Sequence, residues 1–176
     1  AEVAAAVGFN RRAHPLYERA RALVADGALG EVHSVHTVFS EPAPVDGLPE
    51  WKRARATGGG ALLDLASHHF DLLRWLLGRE IEAATARVES VITEGDSASV
   101  TVGLTGGATA QCFFSLRSAL ADTVEIIGDL RTLRIDRHEA RLSSMVPRRF
   151  GYGARERRVG GGFRDGGWRL RRIVRP

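Results

Sequence analysis

The 176-residue chain predicts an α+β domain: an open, mainly antiparallel β-sheet with helices on one face. Three observations point that way. Two helical stretches, Pro15 to about Asp26 and Ala61 to Leu77, are each closed by glycine. Glu31–Ser40 and a run of segments from Ile81 to Asp136 are rich in valine, threonine and phenylalanine, and they alternate. Glycine turns at Gly95-Asp96, Gly106-Gly107 and Gly128-Asp129 separate the later segments. Tight turns between alternating strands favour antiparallel pairing with one covered face.

Taken in order, Val3–Phe9 is apolar almost throughout and reads as a short strand buried on both faces. Pro15 suits a first helical turn, and Leu16, Ala20, Leu23 and Val24 share one side of the helix that follows. Gly27 and Gly30 end it. After the strand Glu31–Ser40, a loop with Pro42, Pro44, Gly47 and Pro49 leads to Trp51. Beyond the second helix the expected strands are Ile81–Thr93, Ser97–Leu104, Ala108–Arg117, Asp122–Ile127 and Thr132–Asp136. Trp168–Val174 is a further candidate. No internal repeat is evident.

The totals narrow the function classes. The chain is long enough for a sizeable core. Its longest apolar run falls far short of a membrane span, and no signal-peptide pattern opens it. Cys112 stands alone, so no internal disulfide can form, which fits a reducing, cytoplasmic setting. Lys52 is the one lysine beside 24 arginines. The net charge of +4 hides an asymmetry, because residues 148–176 hold ten arginines against Glu156 and Asp165. A basic, glycine-rich end is either a nucleic-acid surface or a solvated set of strands and loops; the second is the expectation, and no nucleic-acid partner is expected.

The chemistry is expected on the second helix. Leu63, Leu65, Phe70, Leu72, Leu73, Leu76 and Leu77 cover most of its circumference, so the helix should be buried. At about 100° per residue, Asp64, His68, Asp71 and Trp75 fall within roughly 60° of one another. Carboxylates and an imidazole on a buried strip must pair or serve a purpose. Asp64 and His68, spaced i, i+4, can touch; a carboxylate there would raise the imidazole pKa and fix its tautomer. General acid–base catalysis and a buried structural pair both satisfy that spacing.

Other chemistries fit less well. His69 points roughly 100° away from His68, and His33 and His36 face opposite sides of a strand, so no metal site is expected. The triple glycine Gly58-Gly59-Gly60 lacks the lysine and hydroxyl of a phosphate loop, which leaves close backbone approach as its reading. No serine elbow or cysteine–histidine signature is present.

Several segments in order carry a resemblance. Val7-Gly8-Phe9-Asn10-Arg11-Arg12, then Gly27-Ala28-Leu29-Gly30-Glu31-Val32, Trp51-Lys52-Arg53 and the stretch Gly58–Gly78 resemble the glucose–fructose oxidoreductase / inositol dehydrogenase family. Gly95–Val100 and Glu125–Gly128 add support. The resemblance implies a two-domain enzyme that transfers hydride between nicotinamide and a sugar, cyclitol or related polyol, with NAD or NADP held mainly by an N-terminal Rossmann domain. This chain resembles the C-terminal part, from about residue 3 to residue 137. Residues 1–10 would be the last strand of the missing Rossmann domain, and 11–176 the substrate-binding and oligomerisation domain.

By that resemblance Asp64 and His68 match a catalytic pair, and Asp71 a substrate-touching acid. Trp51 and Arg53 would also bind substrate, and Asn10 and Arg12, in the segment leading out of the cofactor domain, would bind the cofactor. The chain departs from the family in three places: no GxGxxG fingerprint, no Glu-Lys-Pro motif with its lysine, and no helix visible after residue 140. Arg131 also stands where a turn glycine is common. The expectation is therefore a piece of a longer oxidoreductase, inactive alone, forming a homo-oligomer through its sheet. The alternative is a non-catalytic binding or assembly domain of the same fold.

Overall fold

The computed structural model describes residues 3–4, 6–42, 48–146 and the backbone of 155–158. Among the described residues eight strands form one sheet: β1 (Val32–Ser40), β2 (Ile81–Glu89), β3 (Ser97–Leu104), β4 (Thr109–Ser115), β5 (Ala121–Gly128), β6 (Thr132–Asp136), β7 (Arg141–Val146) and β8 (Arg155–Arg158). Their order is β2-β3-β4-β1-β5-β6-β7-β8. Among the described strands only the β1–β4 pairing is parallel; all the other pairings are antiparallel. The open, mainly antiparallel sheet expected from the glycine turns is the observed one.

Helices α1 (Pro15–Ala25) and α2 (Ser67–Leu77) pack on each other and on the same side of the sheet. The alternation along the strands supplies the opposing surface. Val100, Val102, Ala110, Phe114, Val124, Ile126, Leu133 and Ile135 are all buried, and they meet Tyr17, Leu65, Leu72, Leu73 and Leu76 in one core. Pro15 opens α1, while the His14 ring accepts from the Leu16 amide at 3.3 Å. Gly78, at φ 62°, ends α2 in the left-handed region that glycine adopts without strain.

Four expectations change. Val3–Phe9 is not a strand among its described residues, and Val3 and Val7 are 85% and 75% exposed. A strand buried on both faces needs neighbours, and none of the described strands reaches this segment. Strand β2 stops at Glu89, not Thr93, because Asp96 turns the chain: its Oδ2 accepts from the amides of Val91, Ile92 and Thr93. Strands β7 and β8 were not expected, whereas Trp168–Val174 lies outside the described residues. The second helix also starts differently, with a π-helical turn at Leu62–Ala66 before α2.

Burial contrasts sharply between the sheet's centre and its edge. Leu72 is buried in the core, while β2 is exposed over nearly its whole length. Leu72→Ala is expected to cost about 2–5 kcal/mol, and Val88→Ala on β2 about 0.5 kcal/mol or less. Urea unfolding of the two variants checks the contrast.

Candidate active site

A cavity of about 330 Å³ opens where α2, the start of α1 and the turn after β6 converge. Asp64, Leu65 and His68 line it from the helix, and Lys52 reaches it from the 3-10 turn Glu50–Lys52. Asn10, Arg11 and His14 come from the segment leading into α1; Phe39, Glu41 and Arg137 complete it.

Local backbone chemistry brings Lys52 and Asp64 together. Gly59 sits so close beneath the turn that a Cβ would run into the Lys52 carbonyl. Its amide donates to Ala54 O at 2.9 Å. The triple glycine is thus a point of close backbone approach. Lys52 Nζ donates to Asp64 Oδ2 at 2.6 Å and lies 5.1 Å from the centre of the Trp51 ring.

The expected contact between Asp64 and His68 is not made. The Asp64 carboxylate goes to the Lys52 ammonium, a charge-assisted partner stronger than a neutral imidazole. A π turn, wider than an α turn, also alters the offset between positions 64 and 68. His68 Nδ1 is buried and has no hydrogen-bond partner among the described residues. Its pKa is lowered, not raised: burial disfavours the imidazolium, and the Arg11 cation outweighs Asp64.

The remaining candidates separate. Asn10 lines the cavity. Asp71 does not; it is buried and held by Arg12, whose Nε donates to Oδ2 at 2.8 Å and whose Nη2 reaches Oδ1. Each of those two thereby takes up the other. Trp51 is 49% exposed, and Arg53 donates to Leu48 O at 3.1 Å; neither lines the cavity. Among the described residues no three His, Cys, Asp or Glu side chains gather as a metal site.

Sequence reasoning missed the group behind the cavity wall. Asp122 on β5 is completely buried and accepts from Arg11 Nη1, from Tyr17 OH at 3.0 Å and from Arg137 Nε. His69 Nε2 lies 3.2 Å from Asp122 Oδ1, and Nδ1 meets the Thr37 hydroxyl. An ionised carboxylate only accepts, so Nε2 carries the proton and Nδ1 accepts from Thr37. One signal was present: Asp122 and Thr37 occupy inward positions in strands whose other inward residues are apolar.

The group is electrostatically self-consistent. Burial alone would raise the Asp122 pKa, yet the His69 hydrogen bond and the Arg11 charge reverse this and hold it below the ordinary carboxylate range. Burial likewise lowers the His69 pKa and keeps the ring neutral, against the pull of Asp122.

Comparison with known proteins agrees with this architecture. The model of the GFO/IDH/MocA C-terminal domain matches residues 17–134. The chain belongs to the Gfo/Idh/MocA family. It is 36% identical over 116 residues to inositol 2-dehydrogenase of Rhizobium meliloti, covering 62% of this chain and 33% of that protein. An inositol dehydrogenase homologue from Azotobacter vinelandii, solved with NAD+, superposes with a TM-score of 0.73 at 26% identity, over 88% of this chain and 43% of that one. The super-repressor mutant of Saccharomyces cerevisiae Gal80p shares the fold at 16% identity, with a TM-score of 0.74 over 85% of this chain and 44% of that one. The chain spans about a third of the length of the curated relatives it matches.

Removing the Asp122 charge would leave Arg11 and Arg137 facing each other without compensation, so Asp122→Asn is expected to cost about 3–5 kcal/mol. The pH dependence has a definite sign. An unfolded chain protonates His69 below about pH 6.5 while the folded ring resists, so stability falls as pH drops through that range. Asp122, held low, contributes fully above about pH 4 and is lost below it. Urea unfolding from pH 3 to 8 should show both limbs, with His69→Gln shallower in the upper one and Asp122→Asn in the lower.

Proposed function

We propose that this chain is the catalytic and substrate-binding domain of an NAD(P)-dependent oxidoreductase acting on a sugar, cyclitol or related polyol. The observation that carries the reading is the cavity itself, which gathers a neutral, hydrogen-bond-hungry His68 and a Lys52-anchored Asp64. Such a pair suits a substrate made of hydroxyl groups. Family membership supports it, as does the inositol 2-dehydrogenase relative.

His68, uncharged at neutral pH, accepts the proton of the reacting hydroxyl. Asp64 keeps Oδ2 on Lys52 and has Oδ1 free to accept from a substrate hydroxyl. Lys52 positions that carboxylate. Asn10 lines the same cavity and carries both a donor and an acceptor, as a nicotinamide carboxamide requires. Bound nicotinamide would supply the hydride acceptor.

The rest of the cofactor would be held by a preceding Rossmann domain, with residues 1–10 as the connection to it. The exposed Val3 and Val7 suit a segment whose neighbours lie there. Alone, this chain is not proposed to turn over substrate. In the cell the protein would work in the cytoplasm.

The sheet face opposite the helices would pack against a second copy. It carries a shallow hollow of about 450 Å³ in which Val38 and Phe113 lie among the polar His36, Arg87, Thr101 and Gln111. Light scattering of the full-length protein is expected to show a dimer or larger; a monomer at high concentration would count against this interface.

The second reading is a domain that binds the same ligands without the reaction. The fold it shares with the Gal80p super-repressor favours keeping it open to test. In the full-length protein His68→Ala should lower kcat/KM by about 10²–10⁴. Asp64→Asn should also impair activity. His69→Gln should act on stability through the Asp122 group, with a smaller effect on kcat. Equal activity losses for both histidines that track melting temperature would sink the acid–base assignment.

A further inference from the structure

On one side of the cavity two guanidinium groups share a single carboxylate. Asp122 offers one negative charge to two guanidinium groups, Arg11 and Arg137. Its other two partners, Tyr17 and His69, are neutral donors. Lys52 and Asp64 cancel each other. Glu41, the remaining acid on the lining, is exposed and makes no ion pair among the described residues. One cationic charge at the Arg11–Arg137 side is thus left without a partner.

Arg137 is placed to use it. It lines the cavity, is about a third exposed, and commits only Nε to Asp122. Both Nη groups have no partner among the described residues. Arg11 lies behind, with its guanidinium 4.0 Å from the centre of the Phe39 ring, which restrains its plane. The histidines on the lining register the same field: Arg137 helps lower the pKa of His14, and Arg11 that of His68, each after burial.

We propose that this cavity selects a polyol bearing an anionic group, a carboxylate or a phosphate, which the free edge of Arg137 binds with Arg11 adding charge from behind. Two parallel N–H donors in one plane match either group. Asp64 and His68 supply acceptors for the polyol's hydroxyl groups, whereas Arg137 only donates. The inference rests on the oxidoreductase reading and narrows its substrate class.

The test uses the full-length protein with NAD+ and NADP+. Initial rates are compared for glucose, glucuronate and glucose 6-phosphate, and for myo-inositol and myo-inositol 1-phosphate. One anionic member is expected to exceed its neutral counterpart in kcat/KM by about 10- to 100-fold, the scale of a charge-assisted contact. That ratio should fall to within about threefold in Arg137→Met and recover in part in Arg137→Lys. Melting curves of both variants separate this from simple unfolding. Comparing the carboxylate with the phosphates identifies which anion is read.

Neutral substrates turned over as well as anionic ones, with activity still dependent on His68, would overturn the inference and leave the oxidoreductase reading standing. So would an anionic preference that Arg137→Met leaves unchanged. Arg137-dependent binding of glucuronate or a sugar phosphate by calorimetry, without turnover of any substrate, would support the anion site and sink the oxidoreductase reading. Absence of both turnover and binding would overturn the inference.

Discussion

The buried Asp122 carboxylate is the constraint on which the rest of this molecule depends. It draws donors from four places at once: Arg11 before α1, Tyr17 within α1, His69 within α2 and Arg137 after β6. Its backbone carbonyl also accepts from the Arg137 amide at 3.0 Å. A charge taken wholly out of water is tolerable only when fully partnered. Satisfying it therefore sets where both helices sit on the sheet. The cavity is a consequence, because Arg11 and Arg137 form its wall by reaching past it to the same carboxylate.

That arrangement also explains which parts were legible in the residues. Strands such as Ser97–Leu104 and Thr132–Asp136 follow from alternation between glycine turns, and α1 from Pro15, its apolar side and Gly27. These are local signals. Val3–Phe9 looks like a strand by composition, but a strand exists only through its neighbours, and composition carries no information about them. Ile81–Thr93 is one apolar-rich run in sequence, yet a side chain several residues later, Asp96, gathers three amides and ends the strand early.

The candidate site divides the same way. Resemblance and helical spacing together pick out Asp64 and His68, and both line the cavity. Spacing alone then misjudges their relation, since ideal α geometry does not anticipate the π turn or the competing Lys52. Asp71 shares the polar strip but is matched by Arg12, a residue 59 positions away. Asp122 is 53 positions from His69 and 111 from Arg11. Charge pairing at such range is decided by topology, and the only trace it leaves in the sequence is a polar residue on an apolar register.

Charge pairing also divides the cavity into two unlike halves. Lys52 and Asp64 make a neutral, directional patch that suits hydroxyl groups, whereas Arg11 and Arg137 leave a net cation. His68 feels both, and Arg11 more than Asp64, so its resting state is the neutral one. A neutral imidazole can accept a hydroxyl proton; the reverse reaction needs the imidazolium. An anion bound at Arg137 would offset part of the cationic field that disfavours the imidazolium and so increase the proton affinity of His68. Ligand charge and the acid–base state of the ring are then linked, and an anionic polyol would ready His68 for the proton it must take up.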